Sequence, residues 1–239
     1  MQPEITKCVL RYMRIKNESS KEAVLPLYSI GEEITNSALH GIGALAATAS
    51  MVLLSLKALG FLNGRGGDVI DLVAVLIYSA AMIGMYLIST LYHSIQHQGV
   101  KSFLRRLDHS IIYVFIAGTY TPFCLIALRG AWGWSIFGVE WFLALLGITL
   151  NMFKVKFIKK IEIAFYIIMG WLIVVGFVPL IRAVPVKCVV MLITGGILYT
   201  LGVIWYKKKH LKYSHAVWHV FVLAGTVFQW FSVWMLISG

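Results

Sequence analysis

The chain has 239 residues, of which 59% are hydrophobic and only 13% are charged, and its formal net charge is +11. A water-soluble domain carries roughly 25% charged residues, so this composition excludes a soluble globule and a disordered chain. The basic residues lie in short clusters between apolar runs, where they orient membrane helices, so the net charge does not indicate a nucleic-acid-binding protein.

Long stretches without charged residues predict membrane-spanning helices, because about 20 apolar residues cross a bilayer as a helix. In chain order, the predicted spans are residues 34–57, 70–93, 110–128, 132–153, 163–181, 187–206 and 214–237. The expected fold class is therefore an all-α membrane protein, a seven-transmembrane helix bundle. Residues 1–30 are expected to form a cytoplasmic N-terminal tail and residues 31–239 the membrane domain.

The basic residues also predict how the bundle is oriented. If the N-terminus is inside, the tail and the three inner loops hold sixteen of the 21 Lys and Arg residues. Positively charged loops stay on the cytoplasmic side of a membrane. We therefore expect a multi-pass protein of the cell membrane with a cytoplasmic N-terminus and an external C-terminus.

Three cysteines, Cys8, Cys124 and Cys188, are an odd number spread over the tail and two apolar runs. This pattern favours ordinary thiols over a disulfide framework or a cysteine metal site. A secreted disulfide-rich protein is excluded as well.

All seven histidines fall in the inner half of the spans or in the inner loops on this topology. His215 and His219 open span 7 four residues apart, so their rings lie on one helix face, about 6 Å apart along the axis. His93 closes span 2 at a similar depth. Three such imidazoles suit zinc and leave a fourth position for water. The alternative is interfacial histidines bonded to lipid headgroups and loop carbonyls.

Two further polar residues belong to the same layer. Ser89 lies one helical turn before His93 and faces the same way. Asp108 stands at the mouth of span 3, where a carboxylate beside zinc can hold a water molecule and take its proton. An aspartate that precedes an apolar run also caps a helix, and the sequence leaves both interpretations of Asp108 open.

Four motifs follow one another along the chain. They are Glu33-x2-Asn36-x3-His40-Gly41, Ser89-Thr90-Leu91-Tyr92-His93, Leu107-Asp108-His109 followed by Ala117-Gly118-Thr119-Tyr120-Thr121-Pro122, and His215-Ala216-Val217-Trp218-His219. On seven predicted spans this combination resembles the hemolysin III family, the bacterial branch of the progestin and adipoQ receptor superfamily. The resemblance covers about residues 30 to 237.

The resemblance implies zinc held by His93, His215 and His219, a water held by Asp108, and Ser89 as a nearby polar partner. The superfamily also resembles alkaline ceramidases, which implies hydrolysis of a lipid amide. For the bacterial branch, the name implies a lytic or pore-forming phenotype, and a role in membrane lipid balance is a further expectation.

Several polar residues stay outside this assignment. Glu33 and His40 are explained equally well as site residues or as a helix-start acid and an interfacial histidine. Glu140, in the middle of span 4, is expected to be neutral, hydrogen-bonded or facing a cavity, because an ionised acid there costs about 2.5–3.5 kcal/mol. The remaining histidines, His97, His109 and His210, are expected to be solvated. Gly170, Gly176, Gly195, Gly196 and Gly202 are expected at close helix contacts.

Three functions fit these residues. The first is a zinc-dependent hydrolase of a lipid amide or ester bond, with membrane lipids as partners and a small lipid as substrate. The second is a lipid-sensing receptor in which zinc is structural and joins spans 2 and 7. The third is a lytic pore, which is disfavoured because spans 5 and 6 carry no charge along their length. The sequence leaves the oligomeric state open.

Overall fold

The computed structural model describes residues 28–64, 66–155 and 157–238, and over these residues the fold is helical. Seven helical segments are long and apolar enough to cross a membrane. The predicted all-α, seven-transmembrane bundle is therefore confirmed. The predicted tail, residues 1–30, lies almost wholly outside the described residues, and the division into tail and membrane domain stays a prediction.

The helices follow the predicted order. They are α1 (Ile30–Ala58), α2 (Val69–Ser94), α3 (Gln98–Pro122), α4 (Gly130–Met152), α5 (Ile158–Gly170), α6 (Phe177–Ala183), α7 (Val186–Lys207) and α8 (Ser214–Leu236). A π-helical segment, Phe123–Leu128, extends α3, and a 3-10 segment, Leu172–Gly176, joins α5 to α6. The third span is thus α3 with its π-helical end, and the fifth combines α5, the 3-10 segment and α6.

Local capping sets where the first two helices begin. Ser29 accepts a hydrogen bond from the Glu32 backbone, and the Glu32 side chain bonds back to the Ser29 backbone. This reciprocal pair satisfies two amides that have no partner within the helix. Asp68 caps α2 by accepting from the amides of Ile70 and Asp71. Both helices therefore start next to a charged or polar residue at the edge of an apolar run.

The third span begins at Gln98, twelve residues before the predicted start at residue 110. The prediction was wrong because the charged residues before 110 do not form a loop. They lie on a helix whose polar face turns inward: Lys101 is buried, and Arg105 and Asp108 line an internal cavity. Asp108 lies about three turns into α3, and His97 occupies the capping position, so the interpretation of Asp108 as a helix cap is wrong.

The fifth span is interrupted, and one tyrosine completes its hydrogen bonding. α5 ends at Gly170, and the chain passes through the 3-10 segment before α6 begins. The Tyr120 hydroxyl donates to the Gly170 carbonyl oxygen at 2.9 Å and accepts from the Ile173 amide at 2.9 Å. Irregular backbone at membrane depth is tolerated when buried groups find such partners. Tyr120 on α3 therefore stabilises the break in span 5.

Small residues let the helices approach closely at some positions. A Cβ on Gly195 would meet Gln229 of α8, and one on Gly202 would meet Trp218. A Cβ on Gly176 would meet Ile136 of α4. These three predicted close contacts are confirmed. At Gly170 and Gly196 the prediction was wrong: Gly170 has no atom within 4 Å of a Cβ position, Gly196 has only an ordinary contact with Trp171, and both line the internal cavity.

The outer surface of the bundle is apolar. Large hydrophobic side chains on every span are exposed, among them Leu45 on α1, Phe142 and Leu145 on α4, and Val174 in the fifth span. A contiguous apolar surface of this kind on a helical bundle faces lipid. The protein is therefore a multi-pass membrane protein.

Replacing Tyr120 with Phe removes the hydroxyl that serves both backbone groups of the break. We expect the free energy of unfolding to fall by about 1–3 kcal/mol, because a buried donor or acceptor left without a partner costs that much. The melting temperature in detergent measures the effect. Tyr78→Phe is the matched control, since the Tyr78 hydroxyl is buried without a hydrogen-bond partner. Equal stability of the two variants would contradict this role of Tyr120.

Candidate metal centre

Three histidines meet at one end of the bundle. His93 lies in the last turn of α2, and His215 and His219 lie in the first two turns of α8. One ring nitrogen from each lies within 4.8 Å of those of the other two. His93 and His219 are almost completely buried, and His215 is half-buried. Among the described residues this is the cluster whose donor set and spacing can hold a metal ion.

Each of the three rings carries a buried nitrogen without a hydrogen-bond partner. These atoms are Nε2 of His93, Nε2 of His215 and Nδ1 of His219. A buried polar atom without a partner is costly, so native structures usually satisfy it with protein, water or an ion. Neutral imidazole nitrogens are the ligands that zinc prefers in catalytic sites. The residues present therefore fit a zinc ion.

The other ring nitrogen of His93 is engaged by a carboxylate. Nδ1 of His93 lies 2.6 Å from Oε2 of Glu33, and the second carboxylate oxygen accepts a hydrogen bond from Lys101 Nζ at 2.6 Å. All three side chains are nearly excluded from solvent. Glu33 is thus not only a helix-start acid, because its carboxylate contacts the predicted ligand.

His40 packs against one ring of the cluster. Its ring stacks on the ring of His219 with 3.7 Å between centroids, and neither of its ring nitrogens has a partner. The backbone of Asn36 also lies close to the His219 side chain. The interpretation of His40 as an interfacial histidine is wrong, because the side chain is buried against a predicted ligand.

Ser89 and Asp108 lie beside the histidines. Ser89 is buried on α2, and its side chain lies close to the Asp108 side chain on α3. Both residues line the same internal cavity as His215 and His219. Among the described residues, Asp108 is not part of the three-imidazole group. The structure therefore brings all five predicted site residues together, with the carboxylate adjacent to the imidazoles rather than among them.

The cavity next to the site has a volume of about 170 Å³ and a wall that is mainly apolar. A single buried water needs about 10–15 Å³ of such space, so the cavity is large enough for a ligand. It extends from the histidines to Trp171 in span 5, Gly196 on α7 and Gln229 on α8. Gly170, an exposed residue at the end of α5, also lines its wall.

Sequence reasoning missed Tyr28, a neighbour of the site, and Glu162, the partner of His109. The Tyr28 ring stacks on His215 with 5.2 Å between centroids, and burial raises the pKa of its hydroxyl above the ordinary range. Glu162 Oε2 lies 3.1 Å from His109 Nδ1. His109 lines the cavity, so the prediction that it is solvated was wrong.

Sequence reasoning also missed Lys101, although its spacing from Asp108 indicates that the two residues share a helix face. It lies seven residues before Asp108, so on a continuous helix both side chains share one face. The assumption of a loop before residue 110 hid that relation.

Other polar residues lie away from the cluster. His97 and His210 are exposed, as predicted. Glu140 on α4 is fully buried, and neither carboxylate oxygen has a hydrogen-bond partner, so the structure shows no hydrogen bond of the predicted kind. Cys124 and Cys188 are free and buried, which agrees with ordinary thiols, while Cys8 lies outside the described residues.

Comparison with known proteins gives one family. Residues 28–230 match the family described as Haemolysin-III related. The chain is 42% identical over 204 residues to Hemolysin-3 of Bacillus cereus, a match that covers 85% of this chain and 91% of that protein. It is 40% identical over 207 residues to a Hemolysin-3 homolog of Bacillus subtilis (strain 168), covering 87% and 95%.

A more distant relative is the Monocyte to macrophage differentiation factor of Homo sapiens. The identity is 25% over 198 residues, which cover 78% of this chain and 79% of that protein. No solved structure shows a significant match to the chain. The similarity therefore extends over nearly the whole membrane bundle, including the residues of the histidine cluster.

Proposed function

The chain belongs to the haemolysin-III related family, and on that premise we propose that it is an integral membrane hydrolase that uses zinc to cleave an amide or ester bond of a lipid. One arrangement carries the proposal. Two of the three clustered imidazoles line an apolar cavity together with a carboxylate and a hydroxyl. Metal ligands, a proton acceptor and space for an apolar ligand thus adjoin one another.

The three imidazoles of His93, His215 and His219 would hold the zinc ion. Three protein nitrogens are the ligand number of many catalytic zinc sites, which keep one position open. When bound, zinc polarises a carbonyl oxygen and lowers the pKa of a water molecule to about 7. His215 and His219 line the cavity, so they would hold the ion beside the space where a substrate binds.

Asp108 and Ser89 would carry the proton chemistry. Asp108 faces the cavity, where its carboxylate accepts a proton from the attacking water and returns it to the leaving group. Ser89 lies close to Asp108, where its hydroxyl would orient that carboxylate. Its hydroxyl also lines the cavity, where it can donate to the carbonyl oxygen as negative charge develops.

The cavity supports a lipid as substrate. Its wall is mainly apolar, and it runs from the polar cluster into the middle of the bundle. An amphiphile matches this gradient, with its amide or ester near the histidines and an acyl chain along the apolar part. The exposed Gly170 in the wall offers a route from the bilayer between α5 and α7. A protein of this kind would act in membrane lipid homeostasis.

A second candidate function is a lipid-sensing receptor in which the same histidines hold a structural zinc ion. The cluster joins α2 to α8, because His93 comes from the first helix and the other two imidazoles from the second. A structural zinc there would make the protein a lipid-sensing receptor whose bundle responds to a ligand in the cavity. A lytic pore is less well supported, because the cavity wall is mainly apolar rather than hydrated.

Removal of one imidazole tests the zinc site. We expect His93→Ala and His219→Ala each to lose most of the bound zinc, since the two remaining nitrogens hold the ion weakly, and to lower the melting temperature in detergent. Elemental analysis of the purified proteins measures the zinc content. His210→Ala is the control, because His210 is exposed. Full zinc content in both site variants would disprove the assignment.

Asp108→Asn separates catalysis from structure. The variant keeps the size of the side chain but removes the proton acceptor, so we expect unchanged zinc content and a loss of hydrolysis on the order of 10²-fold or more. Release of fatty acid from lipid amides and esters by zinc-loaded and metal-stripped protein measures the activity.

Asp68→Asn is the matched control for this experiment. Asp68 caps α2 at the opposite end of the bundle, and Asn caps a helix equally well. The Asp68→Asn variant should therefore hydrolyse lipids at the wild-type rate. If Asp108→Asn releases zinc, Asp108 is a fourth ligand, and the receptor with structural zinc becomes the better interpretation. If the wild type hydrolyses none of the lipids, the hydrolase is not supported.

We also propose that the site lies at the cytoplasmic end of the bundle, as the distribution of basic residues predicts. In a Cys8→Ser background, a cysteine at Lys209 should react with an impermeant maleimide only after the cells are opened. A cysteine at Val186, which is exposed near the opposite end, should react in intact cells. The reverse labelling pattern would place the site outside.

A further inference from the structure

The first helix supplies no imidazole to the three-histidine cluster, yet it contacts the cluster through a carboxylate. Glu33 lies in the first turn of α1. Its two oxygens lie 2.6 Å from Nδ1 of His93 and 2.6 Å from Nζ of Lys101. The exposed fractions of the three side chains are 7%, 0% and 6%, so solvent competes little for these bonds.

The contact with Glu33 determines which nitrogen of His93 is free. An ionised carboxylate only accepts hydrogen bonds, so Nδ1 of His93 must be the donor. A neutral imidazole carries one N–H, and the proton on Nδ1 therefore leaves a lone pair on Nε2. Nε2 of His93 is buried without a partner, and Nε2 is then the atom available to a metal ion.

Lys101 in turn restrains the carboxylate. Its ammonium group donates to Oε1 of Glu33 and, at 3.3 Å, to the side-chain oxygen of Gln96. It also lies 5.3 Å from the centre of the Tyr92 ring. With one oxygen held by Lys101, the other stays directed at His93, so the orientation of the imidazole depends on residues from α1 and α3.

We infer that Glu33 is a positioning residue of the metal centre: it orients His93 and selects the tautomer that presents Nε2, while Lys101 holds Glu33 in place. Metal-ligating histidines commonly donate their second ring nitrogen to a carboxylate, and loss of that carboxylate weakens metal binding. This inference rests on the proposed zinc site and is independent of the reaction that the site performs.

Another histidine–glutamate pair in the bundle provides a matched control. His109 Nδ1 and Glu162 Oε2 form a partly buried contact at 3.1 Å, but His109 is not part of the three-imidazole cluster. Glu162→Gln therefore changes the same chemistry without touching a proposed ligand. A purely structural contribution of Glu33 should resemble that of Glu162.

The experiment measures zinc affinity by chelator competition on the purified full-length protein in detergent. We expect Glu33→Gln to weaken zinc binding by about 10–100-fold, while Glu162→Gln binds zinc like the wild type. The melting temperature of the metal-stripped proteins should fall similarly in both variants, but the rise caused by added zinc should shrink only in Glu33→Gln. The absorption spectrum of bound Co²⁺ should also change only in Glu33→Gln.

Lys101→Met provides a second test that leaves the Glu33–His93 contact in place. We expect a weakening of zinc affinity smaller than that of Glu33→Gln, because the carboxylate remains but is less restrained. Unchanged zinc affinity in Glu33→Gln, with a wild type that binds zinc, would overturn the positioning role alone. A wild type that binds no zinc would instead overturn the proposed metal centre.

Discussion

A carboxylate enclosed between an imidazole and an ammonium joins the first three helices at one end of the bundle. Glu33 bonds to His93 of α2 and to Lys101 of α3, and all three side chains are nearly excluded from solvent. Charges at membrane depth are stable only when paired, so this contact fixes how α1 is rotated. The same face of α1 then presents Asn36 and His40, one and two turns further on, to His219 of α8.

This arrangement concentrates polarity at one end of a molecule that is otherwise apolar. The outer surface carries exposed hydrophobic side chains on every span, whereas the imidazoles, Ser89 and Asp108 lie inside. The cavity connects the polar end with the apolar middle, and its wall changes from polar to apolar along its length. A lipid has the same gradient, which is why the proposed chemistry and the proposed substrate class depend on one structural feature.

The break in the fifth span lies beside this cavity. The fifth span is interrupted after Gly170, and Tyr120 of α3 supplies the hydrogen bonds that the break requires. A helix that ran unbroken would have a different path past the cavity wall. The interruption therefore helps to shape the cavity. Gly170 is both the last residue of α5 and an exposed residue of the cavity wall.

Composition, hydropathy and local motifs are sufficient to predict the number of spans, the fold class and the family. The spacing of His215 and His219 is also sufficient to predict that both face one way. The position of Asp108 inside a helix rather than at its start, and the contacts of Glu33 with His93 and Lys101, follow only from the packing of the helices. Contacts between residues sixty or more positions apart depend on how helices are rotated and packed, and hydropathy along the chain does not encode that rotation.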